Sequence, residues 1–225
     1  GTALRGSQAR TSGTSPSEAL VAQIVEQVLA RIDEVDPTRV IVGISNRHVH
    51  LDDADFRTLF GYPAPKVKKY VRQRGEFAAE EVVTLHGPKG AMPRVRVMGP
   101  NRSATQVELS RTDCFALGVS APMAQSGHLE QAGPIEIEGP AGRVVKEHAV
   151  IVAGRHIHMG PEDAAKLGLN DQDRVSVLFA GERGGRLDHF LVRVKDSYLL
   201  ELHLDTDEGN AIGAKTGDYV TICRD

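Results

Sequence analysis

Two short segments of the chain are near copies, and both carry the side chains of a metal centre. Asn46-Arg47-His48-Val49-His50-Leu51 and Gly154-Arg155-His156-Ile157-His158-Met159 each hold a His-x-His, with 108 residues between His48 and His156. In a strand, residues i and i+2 point to one face, so each tripeptide aims two imidazoles at one point. A third match falls later in each half. Val107-Glu108-Leu109 aligns with Leu202-His203-Leu204, and the same register pairs Ala116-Leu117-Gly118 with Ala211-Ile212-Gly213. The ligand sets expected are His48, His50 and Glu108 for one ion, and His156, His158 and His203 for the other. Three protein ligands leave a position open for chemistry. Imidazole and carboxylate without thiolate suit zinc best, with cobalt, nickel, iron and manganese also compatible. His86, His128, His148 and His189 lack a duplicated context and read as ordinary residues.

Basic groups fall near the same elements. Arg102 lies in Gly99-Pro100-Asn101-Arg102-Ser103, just before the Glu108 segment, and Lys89 and Arg96 lie on the preceding hairpin. Arginine binds phosphate bidentately and lysine supplies a point charge, so the set suggests a phosphorylated substrate. A net charge of -3 argues against a general nucleic-acid binder. Two distant cysteines, Cys114 and Cys223, imply no disulfide framework and suggest a reducing compartment. No apolar run is long enough to span a membrane and no secretion signal is evident, so an intracellular protein is expected.

The elements that position these groups read mainly as short strands. Residues 1–14 are small and polar and read as a disordered tail. Over 15–36, Ser15, Pro16 and Glu18 form a helix start, and Leu20, Ile24, Val25, Val28, Leu29 and Ile32 fall on one stripe. Two readings of this amphipathic helix stay open: it packs on its own domain, or it docks on a partner. Val40–Ile44 leads into the first histidine pair, and Ala149–Val152 into the second. Val82–Leu85 with Val95–Met98, and Val175–Phe179 with Leu191–Val194, form matching strand pairs. Acidic helix-like stretches ending at Gly61 and Gly168 follow the two His-x-His segments. The fold class expected is mainly β: two similar, internally duplicated small barrels with short helices and the site between them. The first half spans 38–118, a connection 119–148 and the second half 149–225, with exchange of elements between barrels left open.

These motifs, with the Thr206-Asp207-Glu208-Gly209-Asn210-Ala211 segment, resemble the PduL family of phosphate propanoyltransferases, phosphotransacylases associated with bacterial microcompartments. The similarity covers roughly residues 38 to 225. It implies a two-barrel fold, a di-zinc site with the six ligands named above, and the reaction acyl-CoA plus phosphate giving acyl phosphate plus CoA, with propionyl or acetyl as acyl group. It implies that Arg102 orients phosphate and that CoA lies near Ile44, Ser45, Asn46, Lys89, Arg96 and Asn210, with Lys69 and Ser126 as weaker candidates. It also implies a homo-oligomer and, through the N-terminal helix, shell or lumen proteins of a microcompartment as partners, with the compartment lumen as location. Neither nucleic acid nor membrane is expected as a partner. Two competing readings are a metal-dependent hydrolase, which would need a longer TIM barrel, and a zinc-stabilised binding module of a shell assembly.

Overall fold

Strands built from alternating residues close into barrels when one face is apolar throughout, and this chain does so twice. The computed structural model describes residues 17, 20, 21, 23–25, 27 and 36–223. The chain divides into two compact units, Gly1–Asp36 and Pro37–Asp225. The described residues of the first between 17 and 27 are helical, with Leu20, Val21, Ile24 and Val25 exposed. The 1–14 tail and the helix start at Ser15, Pro16 and Glu18 lie outside the described residues.

The second unit runs β1 (Arg39–Ser45), β2 (His48–His50), α1 (Asp53–Phe60), β3 (Val67–Tyr70), β4 (Phe77–Gly87), β5 (Gly90–Gly99), β6 (Gln106–Glu108), α2 (Arg111–Leu117), β7 (Met123–Ala124), β8 (Gly133–Glu138) and β9 (Arg143–Ala153). It continues with β10 (His156–Met159), α3 (Pro161–Leu167), β11 (Arg174–Phe179), β12 (Gly185–Val194), β13 (Glu201–Asp205), α4 (Thr206–Ile212) and β14 (Tyr219–Cys223). One barrel closes in the order β4-β5-β2-β6-β9-β8, with β3 added at β4 and β7 at β9. The other closes as β11-β12-β10-β13-β1-β14. Parallel and antiparallel pairings follow the same sequence in both: β2 with β5 and β10 with β12 are parallel, and β6 with β9 and β13 with β1 are parallel.

The barrels exchange a strand. β1, in the first half of the chain, completes the second barrel, and Val40 and Val42 pack in that barrel's core with Ile157, Phe190 and Leu202. β9 completes the first barrel, where Ala149 and Val150 pack with Val49, Val97 and Val107. The polypeptide therefore crosses from one barrel to the other twice, at Asn46–Arg47 and at Gly154–Arg155, and each crossing is followed at once by a His-x-His strand.

The helices are only two turns long and depend on their ends and on packing. Asp52, Ser110 and Asp205 cap three of them through their side chains, and α3 begins with Pro161. All four stop at glycines in the left-handed region, Gly61, Gly118, Gly168 and Gly213.

Residues 119–148, read from the sequence as a connection, contain β7, β8 and the start of β9. β8 is a wall of the first barrel, with Ile135 and Ile137 buried. Only Ile135 and Ile137 of its six residues are large and apolar, so Gly-Pro-Ile-Glu-Ile-Glu carries a weak strand pattern. β3 has no buried residue and so offers no core pattern to read. A further duplication is conformational. Arg94 (φ 57°) and His189 (φ 66°) occupy equivalent places in β5 and β12, each beside a register shift against its neighbour.

Candidate metal and phosphate site

Alternation sends Val49 and Val107 into the first barrel, so His48, His50, Gln106 and Glu108 point outward, toward the other barrel. His48 faces Glu108 across the β2–β6 ladder, and His156 faces His203 across β10–β13. The alignment of Glu108 with His203 thus corresponds to equivalent ladder positions. Because both His-x-His strands begin just past a crossing, the two groups meet between the barrels. Glu108, His156 and His203 line one cavity together with Ser45, Asn46 and Gly154.

In each of the two groups the candidate ligand atoms lie within 4.8 Å of one another. His48 Nε2 is 3.1 Å from His50 Nε2 and 3.4 Å from Glu108 Oε2, and His50 Nε2 is 3.7 Å from Glu108 Oε1. Zinc ligands at about 2.05 Å in a tetrahedron stand about 3.3 Å apart, so this spacing fits such an ion. The crossings aim the rings. His48 Nδ1 pairs with the Asn46 carbonyl and His156 Nδ1 with the Gly154 carbonyl, both at 2.8 Å, which turns each Nε2 to the centre. In the second group both ring nitrogens of His158 and Nε2 of His203 are buried without a hydrogen-bond partner. His203 Nε2 lies 3.4 Å from Glu201 Oε2 without hydrogen-bond geometry. Buried orphan nitrogens of this kind suit a cation.

The electrostatics favour unprotonated rings at His50, His156 and His158. Burial, with the charges of His48 and Arg102, holds His50 down at about 4. Burial and the neighbouring histidines, helped by Arg193, bring His156 to about 4 and His158 to about 2. At His48 burial acts downward, but Glu108 and the Asn46 carbonyl outweigh it and raise the value. Burial would raise Glu108, yet His48 and His50 hold it well below the usual carboxylate range.

Arg102 Nη1 donates to Ser126 Oγ at 3.1 Å, and its other nitrogen lies 3.6 Å from Glu76. Gln106 Nε2 donates to Glu108 Oε1 at 2.7 Å and to Ser126 Oγ at 2.9 Å, while its carbonyl accepts from Gly127 N. One polar chain therefore joins Arg102, Ser126, Gln106 and Glu108. Ser45 and Asn46 line the central cavity, and Ile44 packs at Gly209 beside Asn210. Arg96 stands beside His48 in the β2–β5 ladder, with its guanidinium on the carbonyls of Ala79 and Glu80. Lys89 lies at the β4–β5 turn, over Phe115, and Lys69 is exposed on β3; neither lines the two cavities described here.

Several residues escaped the sequence reading. Arg47 forms a bidentate pair with Asp113, and Arg155 pairs with Glu208; both acids sit at the third position of the helix that follows each third ligand. These ion pairs explain the arginine in both motifs. Glu201 is buried, and its carboxylate accepts from Gln73 Nε2 at 2.7 Å. Gln106 and Glu201 stand two residues before Glu108 and His203, so the strand period alone could have placed them on the site face.

Comparison with known proteins agrees with this architecture. A profile described as phosphate propanoyltransferase matches residues 41–215. A phosphate propanoyltransferase of Rhodopseudomonas palustris is 48% identical over 218 residues, covering 91% of this chain and 96% of the relative. One from Thermotoga maritima is 53% identical over 186 residues, covering 81% and 88%. One from Salmonella typhimurium is 44% identical over 197 residues, covering 87% and 92%.

Proposed function

The chain belongs to the phosphate propanoyltransferase family of acyltransferases, and from that premise we propose that it transfers a propionyl or acetyl group between CoA and inorganic phosphate in the cleft between its barrels. The observation that carries the reading is the meeting of two duplicated ligand groups, the first of them joined from Glu108 through Gln106 and Ser126 to the guanidinium of Arg102.

We infer that His48, His50 and Glu108 hold one zinc ion, and His156, His158 and His203 a second. Zinc, when bound, supplies Lewis acidity that stabilises a departing thiolate or a polarised carbonyl. The remaining roles belong to the chain. Arg102 orients a phosphate oxygen, and Ser126 fixes the direction of that guanidinium. Gln106 holds the Glu108 carboxylate in place. Ser45, Asn46 and Ile44 with Asn210 bound the cleft where CoA enters, and Arg96, Lys89 and Lys69 provide cations along the first barrel for its phosphates. Neither cysteine is needed as nucleophile: Cys114 is buried, and burial raises its thiol above the usual value.

The test is release of CoA from propionyl-CoA that depends on added phosphate, with metal analysis on the same sample. CoA release without phosphate would favour a hydrolase, and stoichiometric zinc without turnover would favour a binding module. Among the described residues no helix is long and apolar enough to cross a membrane. The resemblance supports a homo-oligomer directed to a microcompartment lumen by the N-terminal helix. Light scattering tests the first, and recruitment of a fluorescent fusion of residues 1–36 tests the second.

A further inference from the structure

A cavity of about 410 Å³ lies beside the second ligand group, bounded by His156. One wall is the outward face of β11 and β12, with Arg174, Leu191 and Arg193; the other is Met123 to Ser126. This second wall comes from an insertion in the first half. Gly118 to β8 takes 15 residues, whereas the equivalent step from Gly213 to β14 takes six.

The charges on the cavity are unevenly committed. Arg155 is bonded to Glu208 and to the Asp188 carbonyl, and Asp188 is bonded to Ser176 and Arg186. The guanidinium groups of Arg174 and Arg193 make no hydrogen bond or ion pair with any described residue; that of Arg193 only faces the Tyr198 ring, at 5.8 Å. Tyr198 in turn stacks on His158, with 4.1 Å between centroids. A half-buried guanidinium without an anion is costly beside a group of imidazoles.

The internal repeat shows that the fold does not require these cations. Arg193 pairs with His158 as Met98 pairs with His50, so Met98 is its counterpart. Arg174 pairs with Leu191 as Val82 pairs with Arg96, so Val82 is its counterpart. The first barrel closes with apolar residues at both places. The arginines therefore serve something other than barrel packing. At the inner wall, Ser126 carries the hydrogen bond from Arg102, so the cavity reaches the proposed phosphate-orienting group.

We propose that this cavity binds the small phosphate-bearing co-substrate, inorganic phosphate or the short-chain acyl phosphate, with Arg193 at its inner end and the exposed Arg174 at its outer end. Paired guanidinium groups suit a phosphate dianion. Met123, Ala153 and Leu191 offer an apolar surface to a short acyl chain. The inference rests on the phosphotransacylase reading and adds two arginines to the Arg102 of that reading.

The experiment takes the residues of the first barrel as its variants, Arg193→Met and Arg174→Val, with Arg193→Lys as the conservative control. CoA release is followed with phosphate and propionyl-CoA varied in turn, and phosphate is titrated into each metal-loaded protein by calorimetry. Arg193→Met is expected to raise the KM for phosphate about tenfold or more, with the KM for propionyl-CoA changed less than about twofold and zinc content unchanged. Arg193→Lys should recover part of the loss, and Arg174→Val should give a smaller rise. Unchanged phosphate KM and unchanged calorimetric affinity in both variants would overturn the proposal. So would a rise confined to propionyl-CoA that disappears with the dephospho-CoA thioester, because the cavity would then hold the 3′-phosphate of CoA. If the wild-type protein releases no CoA with phosphate, the phosphotransacylase reading falls. The calorimetric comparison still decides whether these arginines bind phosphate.

Discussion

Gln106 spends every polar atom of its amide inside the site: two donations, to Glu108 and Ser126, and one acceptance from Gly127 N. It is buried, so water cannot replace a lost partner. Gln106→Leu would remove the donations to Glu108 and Ser126 and free one oxygen of the Glu108 carboxylate, at a cost of about 1–3 kcal/mol of stability. Groups that orient metal ligands set affinity by about 10- to 100-fold. The variant should therefore lose one zinc per chain to a chelator well before the other. Equal retention of both ions against a graded chelator series would show that Glu108 is held without this amide. Arg102 is two steps further along the same chain, beyond Ser126, and touches no candidate ligand. Arg102→Ala should lower phosphate-dependent turnover by on the order of 10²-fold, as loss of one oriented charge donor does, while zinc content stays at the wild-type level. Near-normal turnover in that variant would remove Arg102 from the reaction.

At the scale of elements, the two crossings are what turn a repeated tripeptide into a site. β1 must pass close to β13 to reach the second barrel, and Gly43 marks the tight point. A Cβ there would stand 2.6 Å from Glu201 Oε1. The Glu201 carboxylate cannot retreat freely, because Gln73 holds its other oxygen at 2.7 Å. Gly43→Ala is expected to break that bond and cost about 1–3 kcal/mol, read as a lowered Tm of the metal-free protein. A Tm equal to wild type would mean that β1 and Glu201 shift apart without loss. Much of this level was legible in the chain. The His-x-His strands, their following helices and the glycine stops repeat in the sequence because the same two-turn helix needs the same capping chemistry each time. Glu108 and His203 could be aligned because ladder positions opposite a histidine keep strand spacing. Arg193 and Arg174 could not be assigned to the site face, because parallel pairing of β10 with β12 joins residues by register and not by any local pattern.

For the whole molecule, two barrels were legible in the chain with exchange of elements between them left open, and the structure shows which strands exchange. β1 and β9 look like the first strands of their own halves; each is in fact a wall of the other half's barrel. Nothing in their composition announces this, since a strand buried on one side reads the same in either barrel. The exchange has a testable consequence. A cut in the β8–β9 turn, after Ala141, leaves residues 37–141 without β9 and residues 142–225 without β1. Each fragment then has an open barrel with an exposed apolar seam. Neither should show a cooperative thermal transition alone, because a barrel missing one of six strands loses both its ladder partners and part of its core. Coexpressed, they should associate, restore both barrels and bind zinc, since every ligand group lies whole within one fragment but is shaped by a strand from the other. Fragment 142–225 makes the sharper case. It contains His156, His158 and His203, yet β13 would lack the support of β1. Stoichiometric, tight zinc binding by that fragment alone, with a cooperative melt, would show that the ligand group is built by its own half and that the exchanged strand is dispensable.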